Sequence, residues 1–577
     1  MTKANDLVVQ SKLSGFVTFS CHGQLRHRKT VNYRQRNGMA LLVVVVLVML
    51  ISLGAYRFSF YMESQYRLSR LHEEQVHARL AATSALELAT AIVEMSPAQR
   101  MLIGGLRDNA AAFRDIAVDD SISTTLSSRD PNVWRFCLVS PAAGEDVKSN
   151  FTASNPIASN PIAGTSSLAI RFGLENESAK LHIPTLIAWD RLRPGHARTT
   201  LLGLPGISES IVDGWLREFG VSARVDRGGS QNQLASLDDL RHAWFGGDLN
   251  QNYRLDPIEI RLANQLLSQN RTASQQPIGS SNLAGAFKPL QRYVTWYSGH
   301  RNATRNGNAR IYLNDPNLQS LHQKLTLVWS ADWANFVIAM RQFGPSIAPL
   351  QSATSVENQK APAATVPYVE VVQEWTPDFG KAPVFNFRSP LDLAGAVVML
   401  PSIVASPSST TQSSAVKRTL RNPFSSDLSS VRNYVGIVLD DVTVDASPVA
   451  EGRIDVSEAP IEVLAGVPGL ELALAQQIVQ QRSRSLDTSS KTQELGTIAW
   501  LIDIVELAKL RELEPYLTCR SDVYSVQAIG YRDNQSAVYR TTATIDAREY
   551  PTQLRNQKVW HPWDRGFPIE QLADSKL

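Results

Sequence analysis

The sequence predicts an α+β chain in which one long N-terminal transmembrane helix precedes an antiparallel β-sheet and a large helical region. Three observations predict it. Met39–Leu53 is an almost unbroken run of Leu, Val, Met and Ile, and no charge occurs from Gly38 to Tyr56. Val523–Tyr531 and Ala537–Asp546 alternate apolar and polar around the turn Arg532–Ser536, the pattern of a half-buried hairpin. Between them and the N-terminus lie several stretches with apolar residues at three-to-four spacing.

The apolar run is long enough to cross a bilayer as a helix. Before it stand Lys3, Lys12, Arg26, Arg28, Lys29, Arg34 and Arg36 against Asp6. By the positive-inside rule the N-terminus is expected in the cytoplasm and everything after Arg57 is expected to be exported. A cleaved secretory signal would have a shorter apolar core ending in small residues. Here the run passes instead into Leu68, Leu71, Val76, Leu80, Ala81, Ala85, Leu88, Ala89, Ile92 and Val93 at helical spacing. One helix is therefore expected from about Met39 to Met95.

At 577 residues the chain exceeds what one core usually supports, and two or three domains are expected. A formal net charge of +3 gives no global field that would steer it onto nucleic acid. The three cysteines, Cys21, Cys137 and Cys519, form no Cys-x-x-Cys pair, so neither a zinc site nor a disulfide framework is indicated. A Cys137–Cys519 bridge and two buried thiols both remain open, with the thiols favoured. No His-x-x-x-His, Gly-x-Ser-x-Gly or phosphate-binding loop occurs, and no catalytic constellation is found. The expectation is a non-enzyme.

Beyond the helix, Ser121–Ser127 and Trp134–Val139 read as short strands flanking the turn Ser128–Pro131, and Ser167–Leu174 alternates like a third. Asn150–Ser166, Ser346–Pro367 and Ser402–Ser414 are Ser-, Ala- and Pro-rich loops or linkers. Three blocks share a small, basic, branched-apolar pattern followed by a helical segment: Ala179–Ile183, Ala309–Leu313 and Gly452–Val456. Two of them lead into helix-hairpin-helix patterns, Leu202-Gly203-Leu204-Pro205-Gly206-Ile207 and Leu464-Ala465-Gly466-Val467-Pro468-Gly469-Leu470. Proline ends one helix, and glycine supplies the turn into the next. In nucleic-acid-binding versions the free amides at that turn hold a phosphate. Here Ser208, Glu209 and Ser210, and Glu471 in the second copy, stand at that end, so a structural turn is expected and no nucleic acid.

The segment from Asp248 to Glu259 matches the twelve-residue spacing of a calcium loop, in which ligands at alternate positions wrap oxygens around a hard cation. Asp248, Asn250, Asn252, Asp256 and Glu259 would supply side-chain oxygens, and Arg254 its backbone carbonyl. Tyr253 stands at the sixth position, where the sharp turn favours glycine. The competing reading is an Asn/Asp-rich turn with a helix cap at Asp256-Pro257.

The junction Arg34-Gln35-Arg36-Asn37-Gly38-Met39-Ala40-Leu41-Leu42 resembles a type IV prepilin cleavage site. In that family a prepilin peptidase cuts after the glycine and the new N-terminus is methylated, which makes Gly38 and Met39 the processing residues. Ordinary pilins carry Glu at the fifth mature position; here it is Val43. With the long first helix, the strand-turn at Glu175–Ile183 and the block from Arg453 to the final strands, the chain resembles the minor pseudopilin K family of type II secretion (general secretion pathway protein K).

The resemblance implies a pilin-like helix packed on an antiparallel sheet carrying a large helical insert. Its segments would be a leader over 1–38, the helix over 39–98 and the first part of the β-domain over 99–176. The insert with the calcium-like loop would span 177–345, and a linker 346–367. The β-domain would resume over 368–450, followed by a helix-hairpin-helix segment over 451–518 and a hairpin and tail over 519–577. It further implies a place at the tip of the periplasmic pseudopilus with minor pseudopilins I and J, helping to drive folded proteins across the outer membrane. The reading from a different class is a signal-anchored periplasmic protein that binds or takes up DNA through its two hairpins.

Overall fold

The computed structural model describes residues 37–118, 132–142, 170–205, 207–218, 244, 248–253, 258–259, 261, 289–346, 369–401, 417–486, 496–533, 537–560 and 566–573. The leader before Asn37, the strand expected at Ser121–Ser127 with its turn, and the loops 150–166, 347–367 and 402–414 lie outside these residues. So do Gly206, Arg254 and Asp256.

Helix α1 runs without a break from Asn37 to Glu94, as its periodicity leads one to expect. The chain parts into two units, 1–70 and 71–577. In the first, every residue from Met39 to Arg70 is exposed, and the helix is long and apolar enough to span a membrane. Tyr56, Phe58, Phe60 and Tyr61 follow the apolar run directly, where a bilayer's interface would lie.

In the second unit, the main sheet has seven strands among the described residues. They are β1 (Ile116–Ala117), β2 (Arg135–Pro141), β3 (Ile170–Phe172), β4 (Glu175–Asn176), β5 (Val523–Tyr531), β6 (Tyr539–Asp546) and β7 (Gln553–Trp560). The central order is β1-β2-β5-β6-β7, with β3 on β2 and β4 on β5, and every pairing is antiparallel. The expected hairpin is β5–β6; its tail forms a further strand, β7, along the sheet edge.

Successive residues of a strand face opposite sides, and here both sides are covered. Phe136, Leu138, Tyr524, Val526 and Ala528 pack with Ala82, Ala85, Leu86 and Ala89 of α1. The helix comes close because it offers small residues and because β5 carries Gly530. A Cβ at Gly530 would overlap the Ala78 carbonyl oxygen and lie 2.7 Å from the Ala82 nitrogen. On the other side Cys137, Val139, Ile529 and Tyr531 pack with Phe567 and with Leu572, the last residue of the short C-terminal helix Ile569–Leu572.

The remaining chain leaves the sheet at Glu177, after β4, and returns through Leu517–Thr518 to β5. Those two strands are neighbours, with Asn176 opposite Tyr524. Between them lies a mainly helical body whose single core runs from Ala179 to Leu517. The part over 177–343 and the part over 387–517 share that core: Trp329 and Trp333 of the earlier part close on Phe424, and Trp333 meets Tyr434. The three repeated blocks each form a two-residue strand, Leu181–His182, Ile311–Tyr312 and Ile454–Asp455. At the junction of body and sheet, Asn176 donates to Asp455 (2.8 Å), and Asp522 accepts from Arg100 and from Arg301 (3.1 Å).

Candidate functional site

The described residues of the calcium-like loop form a turn organised around Asp248. Its Oδ1 accepts from the Asn252 amide (3.1 Å) and its Oδ2 from the Tyr253 amide (2.9 Å). Asn250 Oδ1 also accepts from the Asn252 amide, at 3.0 Å. Glu259, at the twelfth position, folds back so that its Oε1 accepts from the amides of Leu249 (2.9 Å) and Asn250 (3.3 Å). The first, third, fifth and twelfth positions therefore converge on one turn.

That convergence needs a tightly wound backbone. Gln251 and Tyr253 both adopt left-handed conformations, with φ of 54° and 59°. Tyr253 thus takes up the conformation for which glycine is usual at this position, at a cost of about 1–2 kcal/mol.

Asp248 and Glu259 are both buried. Burial, and then the charge of Glu259, push the Asp248 carboxyl up to about 7, although the amides of Asn252, Tyr253 and Gln251 act in the opposite direction. Two buried carboxylates, with the neutral oxygens of Asn250 and Asn252, are the donor types a hard divalent cation takes, and here Asp248 Oδ1 and Oδ2 and Glu259 Oε1 accept from backbone amides. Among the described residues no three His, Cys, Asp or Glu side chains gather at one point; Asp256 lies outside them.

The sequence did not reveal how the loop is held. Gln527 of β5 donates to the Gln251 carbonyl (3.0 Å), Arg540 of β6 donates to the Asn250 carbonyl, and Gln291 donates to Gln251 Oε1 (2.7 Å). These partners lie far off in sequence, and no local motif marks them. The loop thereby borders a cavity of about 300 Å³ between sheet and body, lined among others by Ser525, Thr542 and Trp560. Lys180 forms part of its wall. Burial alone would lower its ammonium pKa, but Glu175 (3.1 Å) and Glu177 (2.7 Å) raise it.

The two hairpins pack on one another. His196 bonds the Gly466 carbonyl (3.0 Å), and a Cβ on Gly466 would run into the Thr200 methyl. Glu209 and Asp213 of the first hairpin are held by Arg198 (3.3 and 2.9 Å). Cys137 and Cys519 are both free thiols. At the N-terminal junction α1 begins at Asn37, so the Gly38–Met39 bond lies in its first turn, and Met39 and Val43 are exposed.

No family model matches this chain, and no curated protein or solved structure is detectably similar to it.

Proposed function

We propose that this chain is a minor pseudopilin of the K type in a type II secretion system. In this reading the N-terminus begins in the cytoplasm, prepilin peptidase removes the leader after Gly38, and Met39 becomes the methylated N-terminus. The helix then anchors the chain in the inner membrane with its bulk in the periplasm. There it would cap the pseudopilus with minor pseudopilins I and J. The role is one of assembly rather than catalysis, without nucleic acid as a partner.

The observation that carries the reading is α1 itself. A basic segment leads directly into an apolar helix that continues unbroken to Glu94. Its far part lies on an antiparallel sheet through Ala82, Ala85 and Ala89. A stem of that kind, with Val43 where a stacked subunit would need a carboxylate, suits a subunit with nothing above it. The turn at Asp248–Glu259 would hold calcium through Asp248, Asn250, Asn252 and Glu259, completed by Asp256 and the Arg254 carbonyl. The ion would neutralise the carboxylate pair and brace the body against the sheet.

N-terminal mass spectrometry of the protein from its native membrane tests the proposal. The expected product starts at Met39 with a methylated amine; an intact leader overturns it.

A further inference from the structure

At one end of the helix Leu428–Asp441 arginines outnumber their acceptors. Residues 302–310 form a tight turn there. The Thr304 amide donates to the Asn308 carbonyl (2.6 Å), Ala303 and Ala309 form a bridge, and Gly307 at φ 91° completes the reversal. Arg305 and Arg310 stand on its two arms. Their meeting point is Asp440, in the last turn of the helix. Its Oδ1 accepts from the Arg305 amide (2.9 Å) and from the Arg520 guanidinium, and its backbone carbonyl accepts from Arg310 Nε (3.1 Å).

The donors of each arginine can be followed. Arg520 is buried and fully engaged, since it also donates to the carbonyls of Ala303 and Gly496 (3.4 Å). Arg453, the next cation, pairs with Glu514 (2.9 Å). Arg310 uses only Nε, and its two terminal nitrogens have no acceptor among the described residues. The Arg305 guanidinium has none there either. It lies against Gly496, where a Cβ would come within 2.7 Å of its Nη2. Both side chains are half-buried, beside the exposed residues 306–309.

The nearby negative groups do not absorb this charge. The carboxylate of Asp441 is engaged by the Trp329 indole (2.9 Å). The C-terminus of the helix contributes about half an elementary charge, which accounts for Arg310 Nε and not for the remaining donors. The excess shows in the neighbours. Burial, then Arg520 and Arg453, push Arg310 down to about 9; burial, then Arg310, Arg453 and Arg520, push His300 well below its usual value. His300 is 1% exposed, and its Nδ1 has no partner among the described residues.

A group that completes this cluster must bring negative charge and several acceptor oxygens. Guanidinium forks take carboxylate and phosphate through paired N–H bonds. A carboxylate holds its two oxygens in one plane. A tetrahedral oxyanion points its oxygens in several directions, so forks on separate arms of a turn can share it without being coplanar. We propose that Arg305 and Arg310 form a binding site for a phosphate group, free or carried as a monoester. The site is independent of the calcium reading and of the pseudopilin reading.

Calorimetry of the full chain in detergent micelles at constant ionic strength tests it, with inorganic phosphate, glycerol phosphate and chloride as probes. Inorganic phosphate should bind saturably and chloride should not. Arg305→Gln, and Arg310→Lys, which keeps the charge but removes the fork, should each weaken phosphate binding by about tenfold or more. Arg198→Gln, which alters an arginine already paired with Asp213, should leave it unchanged. Arg305 has no side-chain acceptor to lose, so Arg305→Gln should unfold at the temperature of the unaltered chain without phosphate, yet miss the upward shift that phosphate gives. Glycerol phosphate binding as tightly as inorganic phosphate supports an ester as the natural occupant; a preference of about tenfold for inorganic phosphate supports the free anion. Absence of saturable phosphate binding, equal binding of chloride, or phosphate binding that survives both substitutions overturns the site.

Discussion

Calcium should stabilise this protein strongly at about pH 8 and weakly at about pH 5.5, with Asp248 responsible for the difference. The folded chain holds the Asp248 carboxyl at about 7, against about 3.9 for an unfolded aspartate. The folded state therefore binds this proton more tightly than the unfolded state. The stabilisation from protonation is complete below about pH 4 and is lost as pH rises through 7. A gap of roughly three pKa units is worth about 4 kcal/mol at most. A cation between Asp248 and Glu259 offsets that loss, and protonation competes with it.

With a Kd of about 0.1 mM, within the range of extracellular sites, calcium at about 100 times Kd adds about 2.7 kcal/mol. For a cooperative unit of this size that is about 3 °C in Tm. Thermal unfolding of the full chain in detergent, with calcium or a chelator at both pH values, measures it. Asp248→Asn should unfold no lower than the unaltered chain in chelator at the higher pH, and should lose the calcium shift. An equal shift at both pH values, or one that survives Asp248→Asn, refutes the reasoning.

Other substitutions test the framework. Gly530→Ala places a methyl where the Ala78 carbonyl and the Ala82 nitrogen already stand. It should cost at least about 1–3 kcal/mol in denaturant unfolding as α1 is forced off the sheet. Asp522→Ala strands the buried Arg100 beside a second cation, Arg301, and should cost about 3–5 kcal/mol by the same measurement. Leu321→Ala, fully buried in the body's core, should cost about 2–5 kcal/mol and lower the midpoint of unfolding of the helical region.

Much of this architecture could be read from local pattern. β5 was legible as an apolar-rich run ended by the turn at Arg532–Ser536, although with both faces covered eight of its nine residues are buried rather than every second one. Helix α1 was equally plain from its apolar run and the alanine spacing that follows. The strand β7 was not. Gln553–Trp560 is an edge strand exposed at nearly every position, so no burial pattern is imprinted on it. The turn at Asp248–Asn252 was legible because its alternating Asp and Asn residues are a local pattern. The hooks from Gln527 and Arg540 were not, since contacts between residues hundreds of positions apart leave no local trace. The core shared by 177–343 and 387–517 was hidden for the same reason. Tyr253 was visible only as an exception to the loop pattern; its ring packs 6.1 Å from that of Phe567.

The adjacency of β4 and β5 also bears on how the chain can fold. Asn176 pairs with Tyr524, so the polypeptide between them must bring its two ends to neighbouring strands, about 4.8 Å apart. As a flexible loop, such a length would carry a large closure entropy, and the sheet would assemble slowly. A body that has already folded presents its ends side by side and closes the gap as a short turn would. The order expected from this closure cost is that the helical body forms first and the sheet, with the helix that lies across it, is completed last, which refolding kinetics of Leu321→Ala against Gly530→Ala would check.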